Sequence, residues 1–306
     1  MSVLVVGSIA LDSIKTPFGN RDSVLGGSAT YFSYSANFFT DVMVVGVVGQ
    51  DFPQKHLDFL KKAGVDIRGI EVADGLTFKW EGEYEFDMNV AKTNATYLNV
   101  FENFSPKIPA DYKRCDTLFL ANIDPDLQHF VLKNISPSLM TACDTMNLWI
   151  ELKRSSLLKL LKKINVLIIN DAEARQLTQQ ANIIKAGAII RDWGPEFCVI
   201  KKGEHGALLF SEEGIFAAPS YPLEAVIDPT GAGDTFAGGF IGYLDRIKKL
   251  DNVSLKQAMI CGSALASFNV EDFSLDKLKQ LSKKDIVSRY DEFKKITHFN
   301  DPGLDI

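Results

Sequence analysis

Short continuous apolar runs alternate along most of this chain with longer stretches in which apolar residues recur every three or four positions. Met1 to Gly7, Val42 to Gly49, Leu118 to Ala121, Leu139 to Cys143, Val166 to Ile169 and Phe197 to Ile200 are runs of the first kind. Their length and uniform apolarity predict strands buried on both faces. Between them, Ser28 to Phe39, Pro53 to Ala63, a stretch from Pro125, and Leu152 to Ile164 have the spacing of helices with one apolar face. Gly64 stops the second of these. Strands alternating with helices of this length predict parallel strands joined by crossover helices. Near the C-terminal end, Phe236, Phe240, Leu244 and Ile247 mark one more helix, Ser254 to Phe268 another, and Leu275 to Ile296 closing amphipathic helices. The fold expected is α/β: a three-layer α/β/α domain with a mostly parallel central sheet.

One stretch breaks this rhythm. Thr77 to Phe86 alternates apolar or aromatic with polar residues, the pattern of a half-exposed antiparallel strand pair around Gly82, and a second such run follows at Ala95 to Phe101. The organisation predicted is a discontinuous core of residues 1–75 and 105–299, a small β insertion over 76–104, and a polar tail from Asn300 to Ile306.

Asp228-Pro-Thr-Gly-Ala-Gly-Asp-Thr-Phe-Ala-Gly-Gly239 carries the most specific chemistry. With Glu224 to Ile227 read as a strand end and Phe236 opening the helical period, it becomes a strand-to-helix turn. Gly231 and Gly233, flanking Ala232, let successive N–H groups converge on an anion at the positive end of a helix. A carboxylate beside bound phosphate is unfavourable unless it handles a proton, so Asp234 reads as the base that accepts a hydroxyl proton during phosphoryl transfer. An ordinary turn with a capping Asp is the competing reading.

Polar residues follow the ends of other predicted strands, where open α/β sheets bind ligands: Asp12, Asn122, Asp144, and Asn170 with Glu173. Asn170 and Glu173 lie on one face of a starting helix, either as oxygen donors around hydrated magnesium or as a helix cap. Gly26-Gly27 before the Ser28 helix allows close backbone approach of a substrate, or is only a loop. Lys202, Gly203 and Gly206 form a turn that admits a nucleotide near the backbone.

Composition narrows the partners. The 306 residues are 46% hydrophobic, enough for a large buried core, and 33 basic against 39 acidic residues give a formal charge of −6. No basic block of the kind that tracks a nucleic-acid backbone is present, so nucleic acid is not an expected partner. No apolar run approaches the roughly 20 residues of a membrane span. The four cysteines are widely spaced in apolar surroundings, which predicts buried thiols, no zinc, no disulfides and a cytoplasmic setting.

Asp228 to Gly239 resembles the C-terminal signature of the ribokinase-like (PfkB) family of carbohydrate and nucleoside kinases. Gly7-Ser8-x-x-x-Asp12, Gly26-Gly27, Asn170-Asp-Ala-Glu173 and Lys202-Gly203-x-x-Gly206 match in the same order, so the likeness spans nearly the whole chain. The resemblance implies an ATP-dependent and magnesium-dependent sugar or nucleoside kinase. Asp12, Gly26, Gly27, Tyr31, Phe78, Trp80 and Asn122 would meet the acceptor, and Asn170 and Glu173 would organise magnesium, through water. Lys202, Gly203, Gly206, Asp228, Thr230 and Asn269 would meet the nucleotide. It implies too that the insertion is a lid that pairs with a second subunit in a homodimer, and that Asp228, Thr230 and Ser274 could form part of a potassium site.

Several positions depart from the family pattern. Tyr31 stands where Asn is frequent, Ser28 where some sugar kinases carry Lys, and Asn269 to Phe273 differs from potassium-dependent members. Asp144-Thr-Met-Asn147 resembles an Asp-x-Asn strand end with the Asn displaced and the following Arg missing, and is assigned no catalytic role. Neither Ser28 nor the stretch after Asp144 offers a positive charge, whereas Phe78, Trp80 and Tyr84 suit a neutral ring. The acceptor expected is therefore a neutral sugar or nucleoside, phosphorylated on a primary hydroxyl. A catalytically silent sensor of the same fold is the alternative, disfavoured by the intact Gly231, Gly233 and Asp234; a nicotinamide oxidoreductase lacks its glycine fingerprint.

Overall fold

Every residue from Val3 to Val6 is fully buried, with Val3 and Val5 in one apolar cluster and Leu4 and Val6 in the other. The first strand is thus covered on both faces, as its uniform apolarity requires. The computed structural model describes residues 2–298, so the tail expected over 300–306 lies outside the described residues.

In chain order the elements are β1 (Ser2–Val6), β2 (Ala10–Thr16), β3 (Gly19–Gly26), α1 (Ser28–Ala36), β4 (Asp41–Gly49), α2 (Gln54–Lys62), β5 (Asp66–Ala73), β6 (Lys79–Tyr84) and β7 (Ala91–Tyr97). They continue as β8 (Thr117–Leu120), α3 (Pro125–Asn134), β9 (Met140–Cys143), α4 (Asn147–Leu152), α5 (Arg154–Leu161), β10 (Val166–Asn170), α6 (Asp171–Thr178) and α7 (Ile183–Asp192). The last are β11 (Phe197–Lys201), β12 (Ala207–Ser211), β13 (Gly214–Ala218), α8 (Ala232–Ile247), α9 (Asn252–Asn269) and α10 (Lys283–Thr297).

The large sheet runs β13-β12-β11-β10-β9-β8-β1-β4-β5 and is parallel except where β12 pairs with β11 and β13. Helices α1, α8 and α9 cover one face, and α3, α5, α6 and α7 the other. This is the three-layer α/β/α arrangement that the apolar pattern predicts. Helices α1 and α8 approach closely because α8 carries glycine at the contact: a Cβ on Gly242 would lie 2.9 Å from the Ala36 Cα. No helix of the described residues is long and apolar enough to cross a membrane.

A second sheet, β3-β2-β6-β7, sits beside the carboxyl ends of the parallel strands. It draws β2 and β3 from the stretch assigned by sequence to the core, as well as β6 and β7 from the expected insertion. Thr77 to Phe86 is not a strand pair, because β6 is one strand, parallel to β2 and antiparallel to β7. Gly82 stays in mid-strand since the Trp80 indole lies over it, where a Cβ would collide with the ring. The chain reverses only after Tyr84. Two other expectations change. Glu224 to Ile227 is irregular and not a strand end, since the Ile227 N–H bonds to Val270 O at the end of α9 (2.7 Å) in place of a strand neighbour. The helix expected over Leu152 to Ile164 is α5 alone, which starts after Lys153 (φ −129°) and is preceded by a separate short helix, α4.

Candidate active site

Helix α8 begins without a side-chain cap. Gly231 occupies its N-cap position with φ 74° and ψ 0°, a left-handed conformation that favours glycine. A Cβ there would strike the Tyr31 ring, which is 1% exposed and forms the floor of the turn. Ala232 N–H bonds back to Pro229 O (3.1 Å), while the N–H groups of Gly233 and Asp234 meet no partner among the described residues. Two unused donors at the positive end of a sixteen-residue helix make a concave anion site.

The turn is held from behind. Asp228, fully buried, accepts from Thr230 N–H (2.9 Å) and from Ser274 N–H (3.1 Å). Asn269, fully buried at the last position of α9, donates to Thr230 O (2.9 Å) and accepts from the Thr235 hydroxyl (3.1 Å). Asp228, Thr230 and Asn269 are therefore gathered at the turn, behind its anion-facing side.

Around the helix start lies a group of carboxylates with few cations. Burial pushes Asp234 up to about 6, against the pull of Lys201. Burial, with the charges of Asp228 and Asp234, pushes Asp12 up to about 8. Burial also raises Glu173, to about 7, and Lys201 again pulls the other way. Asp144 is held well above the usual carboxylate range by burial and by the charge of Asp234, and one of its oxygens is buried without a hydrogen bond. Lys201 is the cation that Asp144, Glu173 and Asp234 share, and its Nζ lies 2.5 Å from where a Cβ on Gly233 would be. A hard divalent cation fits such a set of oxygens, with its excess negative charge and an orphaned carboxylate oxygen. Direct coordination is another matter: among the described residues no group of three or more His, Cys, Asp or Glu side chains is arranged to ligate a metal.

These carboxyls hold their protons more tightly in the folded protein than in the unfolded chain, where carboxylates titrate near 4. Their contribution to stability is complete below that pH and is lost as pH rises through the folded values of about 6, 7 and 8 for Asp234, Glu173 and Asp12. The melting temperature of the ligand-free protein is expected to fall between about pH 4 and pH 8, and Asp12→Asn is expected to flatten that fall. Calorimetry showing a flat or rising midpoint over this range would contradict the arrangement.

The side that the sequence assigns to an acceptor is built on β2 and β6. Asp12, 4% exposed, packs on Gly26 and accepts from the Gly27 N–H. Gly27 has φ 95°, and a Cβ there would lie 2.5 Å from Ser8 O. Register places Trp80 directly beside Asp12 on the same face of the small sheet. Four positions on, Tyr84 reaches across the gap and its hydroxyl meets that of Thr230 at 3.3 Å. The Tyr31 hydroxyl is buried near Asp12, Asp228 and Ser274. Phe78 instead stacks on Phe101, with centroids 5.3 Å apart. Asn122 is occupied by its neighbours, accepting from the Trp149 indole (3.0 Å) and donating to the Met146 sulfur (3.2 Å).

On the opposite side, Asn170 and Glu173 form a reciprocal helix cap, each side chain bonding the other's N–H at 2.8 Å. Lys202, Gly203 and Gly206 make the turn between β11 and β12, closed by Lys202 N–H to Gly206 O (2.7 Å), with φ 55° and 78° at the glycines. Asn89, beyond the end of β6, donates to Glu204 of that turn (2.9 Å). Asp144, Lys201 and Tyr84 are thus site residues to which sequence reasoning gave no part in the chemistry, Tyr84 having been read only as a ring-stacking aromatic.

The family model for pfkB family carbohydrate kinases matches residues 12–279. The cytidine kinase of Thermococcus kodakarensis is 28% identical over 258 residues, 82% of this chain and 91% of that protein. Two solved structures share the fold. The nucleoside kinase of Methanocaldococcus jannaschii has a TM-score of 0.76 at 20% identity, covering 95% of this chain and 98% of that one. The nucleoside kinase of Burkholderia thailandensis in complex with inosine has a TM-score of 0.77 at 19% identity, with coverage of 95% and 98%.

Proposed function

This chain belongs to the pfkB family of carbohydrate kinases and is an ATP-dependent sugar or nucleoside kinase, and within that class we propose that it phosphorylates a primary hydroxyl of a nucleoside. The observation that carries the reading is the pairing of Asp234 with uncapped N–H groups at the start of α8, facing Asp12 across a gap closed by Tyr84. Asp12 orients the acceptor through hydrogen bonds to its hydroxyls. Asp234, ionised at neutral pH with its value near 6, takes the proton of the reacting hydroxyl as that oxygen bonds to the terminal phosphorus. The bond to the bridging oxygen breaks and ADP leaves. The N–H groups of Gly233 and Asp234, with Lys201, stabilise the charge on the phosphoryl group in flight.

Glu173 and Asn170, through water, and Asp144 would hold magnesium. Bound there, the ion would neutralise phosphate charge beside the carboxylates. Glu173→Gln keeps the helix cap, because Gln can serve at that position as well as Glu. It is expected to raise the magnesium needed for half-maximal rate severalfold, and an unchanged titration would leave Glu173 with capping alone. A monovalent cation fits less well. Both Asp228 oxygens are taken by backbone N–H groups and the Ser274 hydroxyl donates to Leu25 O, so no step is assigned to such an ion.

A nucleoside is favoured over a free sugar by the names of the relatives and by Trp80 and Tyr84, which offer ring faces beside Asp12. We further propose that the small sheet is a lid, latched by Tyr84 to Thr230 and by Asn89 to Glu204, and that a second copy covers its exposed Phe86, Val90 and Tyr97. Coupled nucleotide-consumption assays with cytidine, adenosine, inosine, ribose, fructose, 2-keto-3-deoxygluconate and fructose 1-phosphate test the acceptor. The highest kcat/KM is expected for a nucleoside. A clear preference for the phosphosugar would overturn the reading.

A further inference from the structure

Arg289, on α10, lies far along the chain from the residues that meet substrate, and yet it joins the segments that bound the nucleotide side. Its guanidinium is sandwiched between the rings of Tyr221 and Phe268, 4.0 and 3.8 Å from their centroids. Nη1 donates to the Ser267 hydroxyl (2.8 Å) and Nη2 to Glu271 (2.9 Å), while Nε lies 3.7 Å from Glu292. Glu292 in turn accepts from the Tyr221 hydroxyl (2.6 Å). The side chain is only 13% exposed, so both stacking contacts and charge-assisted bonds act in partly desolvated surroundings.

Each contact leads to the phosphate-binding turn or to the loop beside it. Ser267, Phe268 and Glu271 flank Asn269 and Val270, which hold Thr230 O, the Thr235 hydroxyl and Ile227 N–H. Tyr221 belongs to the irregular segment that runs from β13 into Asp228. One residue earlier, the Ser220 hydroxyl donates to Glu204 O in the Lys202–Gly206 turn. We propose that Arg289 is a positioning residue for the nucleotide: it clamps the end of α9 to the 219–227 segment and so fixes the spacing between the α8 turn and the Lys202–Gly206 turn. The proposal rests on the reading that these two turns bind the nucleotide.

Only a planar guanidinium can lie flat between two rings while donating on both sides, so Lys cannot replace it. Arg289→Met and Arg289→Lys are both expected to raise the KM for ATP by about tenfold, with the acceptor KM changed by less than about twofold. Tyr221→Leu, at a partly exposed position where Leu still covers the buried Phe293, is expected to raise it severalfold. Asn269→Ala provides the control on the site itself. If Asn269→Ala raises the ATP KM and neither the Arg289 variants nor Tyr221→Leu does, even with lowered melting temperatures, Arg289 is structural only and the clamp is overturned. If Asn269→Ala also leaves the ATP KM unchanged, the nucleotide assignment fails, and the clamp with it. Should the Arg289 variants not fold, Tyr221→Leu alone decides.

Discussion

Asp234→Asn is expected to lower kcat by roughly a hundredfold to ten-thousandfold while the dissociation constant for ADP changes by less than about threefold. The amide preserves the shape at the start of α8 and removes only the proton acceptor. Loss of a buried carboxylate also relieves repulsion on Asp12 and Asp144, whose values are raised in part by the Asp234 charge. The variant is therefore expected to be at least as stable as the parent at pH 8, which separates lost chemistry from lost fold. In the parent, kcat/KM should rise with pH through about 6 as Asp234 ionises. The same limb should vanish from the residual activity of the variant. Turnover within about threefold of the parent would remove Asp234 from the reaction.

The parallel strands of the large sheet were legible because they read as unbroken apolar runs, and the α8 turn because glycine spacing before a helical period has few other uses. Asp144 was placed at a strand end but given no role because its Asn is displaced and the following Arg missing, and Lys201 was passed over, although the strand period points to both. Met140 and Ala142 face the α8 side of the sheet, as does Val199, so alternation carries Asp144 and Lys201 to that side at the strand ends. Lys202, chosen for its place before Gly203, is one position out of phase. Tyr84 was recognised as an aromatic of the small sheet but not as a bridge, because its meeting with Thr230 spans 146 residues of sequence. The missing β2 and β3 have a similar origin: Ala10 to Gly26 mixes charged and apolar residues without a clear period, and its two strands pair with each other and join the small sheet through β2 beside β6. Capping at Asn170 and Glu173, by contrast, is local, and its spacing of three was enough to foresee it.

The two glycines of the turn fail in different ways when replaced, and the difference tests the site from its backbone. Gly231→Ala places a Cβ on a residue with φ 74° and against the ring of Tyr31, which at 1% exposure has nowhere to move. The left-handed conformation costs about 1 kcal/mol for Ala, and the collision adds more, so a loss of roughly 2–4 kcal/mol in stability is expected. Because the turn must open to relieve the clash, its N–H groups lose their aim, and kcat/KM should fall by more than about a hundredfold. Gly233→Ala has ordinary helical backbone and meets only the end of the flexible Lys201 side chain. Its melting temperature should stay within a few degrees of the parent. Its rate should nonetheless drop by about tenfold or more, since the displaced ammonium no longer faces the phosphoryl group or balances Asp234 and Glu173. Equal melting temperatures for the two variants would mean that the turn does not rest on Tyr31. A Gly233→Ala variant with full activity would take Lys201 out of the reaction and leave the anion site to the N–H groups alone.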